Sequence, residues 1–187
     1  RAYKHNVFKA QQRANMILRC FISRDVNVLL RAFLTYVRPL LEYNAVVWSP
    51  VMKGEIDSIE KVQRRFTKRL PGMYKLSYNE RLNRLNLVTL ELRRLHNDLI
   101  YCYKILFGLT SLNCNDFFVR TTNITRGNQY KLFKERSNGV RYNFFSHRIV
   151  NVWNFLPSYV VDFSSVSTFS HTVKSIDFSK FLKHSYD

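Results

Sequence analysis

The sequence predicts a mainly α-helical protein, with a helical bundle followed by a smaller helical part carrying a short β-hairpin. Three observations predict it. Apolar residues recur at spacings of three and four over long stretches. Only five Gly and four Pro occur in 187 residues, too few for a turn-rich β architecture. The hydrophobic share of 46% is enough to bury a core, which excludes wholesale disorder.

The first helix is expected over 7–22, where Ala10, Ala14, Ile17, Leu18 and Phe21 share a face. Asp25 is placed to cap a second, with Leu29, Leu30, Phe33 and Val37 inward. Pro39 then interrupts or kinks the chain. The apolar string "LLEYNAVVWSP" that follows reads as a fully buried helical segment, with Trp48 in the core. A third helix begins at Gly54 and carries Ile56, Ile59, Val62, Phe66 and Leu70 until Pro71-Gly72 stops it. Ser77-Tyr-Asn-Glu80 has the capping-box pattern and opens a short helix with Leu82 and Leu85. Thr89 caps a long one, with Leu92, Leu95, Leu99, Tyr103 and Leu106 inward and Gly108 at its end.

Residues 109–140 are rich in Asn, Thr, Ser and Gly and read as a loop or linker, with a hairpin near Arg126–Phe133. They separate a helical basic domain, 1–108, from a small C-terminal helical part, 141–187. In the latter, Ser146 is expected to cap a helix with Ile149, Trp153 and Leu156 inward. A last helix is expected over 165–176, with Phe169 and Val173 inward.

The net charge is +17 and the isoelectric point near 10.1. Self-repulsion on that scale points to an anionic partner, nucleic acid before a membrane surface. The charge is concentrated. On a helical wheel the stripe from Ile56 to Leu70 occupies roughly a third of the circumference, and Lys61, Arg64, Arg65, Lys68 and Arg69 fall opposite it. From Lys61 to Arg94 ten Lys or Arg face only Glu80 and Glu91, a net of +8. Arg81, Arg84, Arg93 and Arg94 extend the charge past the Pro-Gly turn. Any soluble helix turns polar residues outward, but ordinary faces mix signs. Arg suits phosphate because its planar fork gives two parallel charge-assisted hydrogen bonds. No base-reading motif occurs, so backbone tracking is expected. A second, looser basic zone contains Arg126, Lys131, Lys134, Arg136 and Arg141, flanked by Arg120 and Arg148. Tyr130, Phe133 and Tyr142 lie among these cations and either pack or offer stacking surfaces to unpaired bases.

No catalytic centre is legible. The carboxylates are scattered, and Glu55, Asp57 and Glu60 sit at a helix start, where negative charge suits the dipole. There is no Gly-rich phosphate loop, nucleophile elbow or Cys-His pairing. Five isolated His and three widely spaced Cys (Cys20, Cys102 and Cys114) lack metal-ligand spacing, so neither metal nor cofactor is expected. The cysteines read as buried free thiols in a reducing, intracellular compartment, cytoplasmic or nuclear. Asn123-Ile-Thr125 matches a glycosylation acceptor, but no signal-peptide pattern accompanies it. No apolar run approaches the roughly 20 residues of a membrane helix. The chain opens on Arg1, as a piece of something longer would.

Four strings in order, "VRPLLEYNAVVWSP", "IEKVQRRFTKRLPG", "LSYNERLNRLNLVTLELRRLHNDLIYCYKIL" and "FFSHRIVNVWNFLP", resemble the region after the polymerase domain in LINE-type, jockey-like non-LTR retrotransposon reverse transcriptases. The likeness covers most of the chain and is weakest over 109–140 and after Val160. It implies origin in an RNA-directed DNA polymerase of a mobile element, in which a helical thumb and C-terminal region follow fingers and palm and hold template and primer. The Tyr-x-Asp-Asp metal site of the palm has no counterpart, since no Asp-Asp occurs in this chain. The endonuclease domain and the Cys-His knuckle of related proteins are also missing.

What the resemblance implies is therefore a non-catalytic, supporting role on RNA template or RNA–DNA hybrid, beside the upstream polymerase domain of the same polypeptide. Two other readings stay open. One is a structural module that docks on the polymerase palm, and the other is an inert transposon-derived relic. The reading frame upstream of Arg1 discriminates the last, because stop codons there would mark a relic.

Overall fold

The computed structural model describes residues 2–121 and 129–184. These are mainly helical. In order come α1 (Ala2–Cys20), α2 (Val26–Tyr36), α3 (Arg38–Glu42), α4 (Ala45–Trp48), α5 (Lys53–Lys68), α6 (Tyr78–Arg84), α7 (Leu90–Leu106), β1 (Val119–Arg120), β2 (Leu132–Phe133), α8 (Phe145–Phe155) and α9 (Val166–Val173). Short 3₁₀ turns lie at Cys114–Asp116, Gly139–Asn143 and Ser179–Phe181. The chain divides into two compact units, Arg1–Arg94 with Leu182–Asp187, and Leu95–Phe181.

The first unit is built on α1, α2, α3 and α5. Their apolar stripes meet in one cluster that includes Ala10, Ala14, Ile17, Leu29, Phe33, Leu41, Ile59, Val62, Phe66 and Leu70. Phe33 stacks on Phe66 with ring centroids 4.5 Å apart. Asp25 caps α2, its carboxylate accepting from the Val28 amide at 3.0 Å. The break before α3 falls at Val37, and Pro39, with no N–H to give, sits in the first turn of the new helix.

Ser77 and Glu80 form the expected capping box of α6. That helix closes on Asn86 at φ +52°. Asn86 and Leu87 donate to the carbonyls of Asn83 and Leu82, the Schellman arrangement. The chain returns to this unit at its far end. There the amides of Lys183 and His184 donate to the Glu91 carboxylate at 2.9 and 3.3 Å.

The second unit is held by aromatic packing. Tyr103 of α7 lies 4.6 Å from Phe169 of α9, and Trp153 of α8 lies 5.6 Å from that same ring. The Tyr103 hydroxyl donates to the Phe163 carbonyl at 2.7 Å. β1 and β2 pair antiparallel, Val119 opposite Phe133 and Arg120 opposite Leu132. The Asn154 side chain supplies the missing neighbour on the other edge of β2. Its carbonyl accepts from the Leu132 amide and its amide donates to the Leu132 carbonyl, both at 2.8 Å. The Trp153 indole donates to the Tyr130 carbonyl at 2.8 Å. Arg148 forks onto Asp98, from Nε at 3.0 Å and from a terminal nitrogen at 3.1 Å.

Four details depart from the sequence reading. The division falls between Arg94 and Leu95, not at 108, because Leu99, Tyr103 and Leu106 are buried with the C-terminal helices. The 109–140 stretch is more than a linker: Phe118 and Leu132 are buried, and the strand facing β2 begins at Val119. The 40–50 string is not fully buried, since Tyr43 and Val47 are exposed. Trp48 is half-buried, its indole donating to the Tyr43 carbonyl at 2.6 Å. Ser146 does not cap α8, whose N-cap is Phe144 without a side-chain bond. Arg126, the expected hairpin apex and Asn123–Thr125 lie outside the described residues.

Candidate nucleic-acid interface

The stripe of α5 folds as its spacing dictates, with Ile56, Ile59, Val62, Phe66 and Leu70 each 2% exposed or less. On the other side Lys61, Arg65 and Lys68 are exposed at steps of four and three residues, one cationic row about 10 Å long at 1.5 Å per residue. Arg69, at the helix end, and Arg84, in the last turn of α6, are exposed as well.

Four of the nine expected cations are placed otherwise. Arg64 is half-buried. It reaches back two turns to Asp57 at 2.6 Å, and its guanidinium lies 5.5 Å from the Tyr78 ring centroid. Arg93 is half-buried and paired with Glu42. Arg81 is 4% exposed, because the Ser77 cap turns the inner side of α6 onto the end of α5. There Arg81 donates to the Arg64 carbonyl at 2.8 Å and to the Thr67 hydroxyl at 3.3 Å. Burial lowers its pKa. Arg94 is 3% exposed, and its charge acts on Glu60. A wheel drawn on one helix cannot show these, since a neighbouring element covers them.

Two features of the surface were not read from the sequence. Pro71-Gly72, with Gly72 at φ +73°, turns the chain so that Tyr74 stands beside the end of α5. Tyr74 is 73% exposed, and Lys68 Nζ lies 5.2 Å from its ring centroid. With Gln11 and Asn15 of α1, and with Arg65 and Arg69, they line a groove of about 730 Å³. Arg69 donates to the Asn15 side-chain oxygen at 2.9 Å, fixing one wall. The signal available in the sequence was an aromatic two residues past the Pro-Gly stop of a cationic helix.

In the second unit, Lys131 and Lys134 are half-buried while Arg136 and Arg141 are exposed. Arg141 is engaged by His147 at 3.1 Å and by Glu135 at 3.5 Å, and Lys134 lies 5.3 Å from the Tyr142 ring centroid. Tyr130 packs against Phe107 and Phe163, each 4.9 Å away, so its ring serves the core. Phe133 and Tyr142 remain exposed.

Of the three cysteines expected to be buried only Cys102 is, and that burial pushes its thiol pKa well up; Cys114 is half-buried and Cys20, at the end of α1, is exposed. Among the described residues no group of three or more His, Cys, Asp or Glu is placed to hold a metal ion. Nor is any described helix long and apolar enough to cross a membrane.

Fold and surface together define the class: a mainly helical, strongly basic protein with a cationic row on one helix. The chain matches no protein-family model, and comparison with curated proteins and with solved structures gave no significant match.

Proposed function

We propose that this chain is a non-catalytic C-terminal portion of an RNA-directed DNA polymerase of a mobile element, holding RNA template or RNA–DNA hybrid. The carrying observation is the exposed row Lys61, Arg65 and Lys68, with Arg69 at its end and Arg84 exposed on α6, none of them in an ion pair with a described carboxylate. The resemblance of the four strings supplies the parent and the partner. The chemistry of nucleotide addition is assigned to the upstream polymerase domain, and this portion grips backbone phosphates. Each cation that neutralises a phosphate releases a counterion, so affinity falls with salt.

The test is binding of a structured RNA by the Lys61→Ala, Arg65→Ala, Lys68→Ala, Arg69→Ala variant across salt concentrations. Affinity drops, and the slope of log affinity on log salt flattens by roughly 0.7–0.9 for each phosphate contact removed. Unaltered affinity and slope would sink the proposal.

One observation favours the docking reading instead. Met16 and Tyr36 are more than half exposed beside a groove of about 280 Å³ that Cys20 and Phe21 also line. Patches of this kind mark contacts with protein. Under that reading the cationic variant binds RNA like the wild type.

A further inference from the structure

We infer that the groove at the end of α5 seats one unpaired nucleotide, its base stacked on Tyr74 and its flanking phosphates on Arg65 and Lys68. This rests on the nucleic-acid reading of the same face and deepens it, from a grip on backbone charge to a preference for single-stranded chain.

Three observations converge. Tyr74 stands beside the exposed cations at the end of α5, and at 73% exposure it leaves a ring face open to a base. Lys68 Nζ, 5.2 Å from the ring centroid, keeps a positive charge next to that platform, where the phosphate joined to a stacked base would lie. The groove, at about 730 Å³, falls in the size range of small-ligand sites, and Gln11 and Asn15 bring amide donors and acceptors to a base edge. A row of cations alone tracks duplex and single strand alike. An aromatic face beside it adds a term that only an unpaired base can collect, because every base has a π-face and paired bases keep theirs inside the stack.

The same geometry explains why the platform stays exposed. Gly72 at φ +73° reverses the chain after α5, and the Met73 side chain goes into the core at 3% exposure. Tyr74 is thereby directed outward.

The experiment compares two single-stranded 12-mers, one of RNA with bases and one with the same backbone and abasic sites throughout, bound by the full chain. The wild type prefers the base-containing strand by about tenfold, the worth of one stacked base. Tyr74→Ala brings that ratio close to one, and Tyr74→Trp keeps or raises it. A wild-type ratio of one, or a ratio that Tyr74→Ala leaves intact, overturns the stacking inference. If the ratio fails while the four-cation variant still weakens both strands, the phosphate-gripping reading stands and only the nucleotide seat falls. If that variant weakens neither strand, both fall.

Discussion

Tyr78 donates its phenolic hydrogen to the buried Glu60 carboxyl at 2.5 Å, while the other carboxyl oxygen accepts from the Leu90 amide at 2.8 Å. Gln63 donates to the same phenol at 3.0 Å, and Arg64 and Arg81 flank its ring at 5.5 and 5.3 Å. One acidic group thus ties α5 to α6 and to the first residue of α7. Two of the cations expected on the surface are instead part of what surrounds it.

Burial raises the Glu60 pKa above the ordinary carboxylate range, against the opposing effects of Tyr78, Arg94 and the Leu90 amide. The folded state therefore holds this proton more tightly than the unfolded chain does. The stability it contributes is full below the unfolded carboxyl pKa, about 4.3, and is lost as pH rises through the higher folded value. Thermal melts of wild type and Glu60→Gln over this range give a gap that shifts toward the variant as pH rises. A gap independent of pH would contradict the burial effect.

Arg81 and Arg84 lie three residues apart on α6 and are expected to answer differently. Arg81→Ala leaves the Arg64 carbonyl without its guanidinium partner and removes a buried side chain, at a cost of about 1–3 kcal/mol in urea unfolding. Arg84→Ala leaves unfolding within about 0.5 kcal/mol and lowers RNA affinity modestly. Equal stability of the two variants would show that Arg81 is not part of the helix junction.

The Arg148–Asp98 pair is bidentate, with the Asp98 side chain 5% exposed and the Arg148 side chain 19%. Arg148→Ala takes the bidentate guanidinium away from a carboxylate in a dry setting and is expected to cost about 3 kcal/mol. Arg148→Lys recovers less than half, because an ammonium cannot reproduce two parallel bonds. Chemical denaturation of both variants checks this. Full recovery by Lys would mean that charge alone suffices.

A methyl group at Gly72 meets no atom within 4 Å, so Gly72→Ala isolates backbone strain at φ +73°. The expected cost is about 1–2 kcal/mol, read from the urea midpoint. The variant also loosens the turn that presents Tyr74, so RNA affinity falls with it. No change in midpoint would mean that the turn relaxes freely.

The helices were legible because their signals are local. Asp25, Ser77 and Thr89 each accept from the amide three residues on, and the α5 stripe is set by spacing alone. Asn86 is an equally local signal, but a non-glycine left-handed cap resembles any other Asn until its turn is formed. The failures are relational. Burial of Arg81 depends on where α6 lies against α5. The boundary inside α7 depends on aromatic rings some sixty residues further on, such as Phe163 and Phe169. The Tyr74 groove needed α1 as its opposite wall, which no pattern along α5 contains.

The return of Lys183 and His184 to Glu91 has a consequence in time. The pairing bridges 92 residues of chain, and in between lies the whole second unit, so the first unit is discontinuous in sequence. On a ribosome its helical core can collapse early, but its last tie waits until the second unit has been synthesised. Contacts of such sequence separation close late, after the loop entropy between them has been lost. Completion of the first unit is thus a report that the second unit has been made.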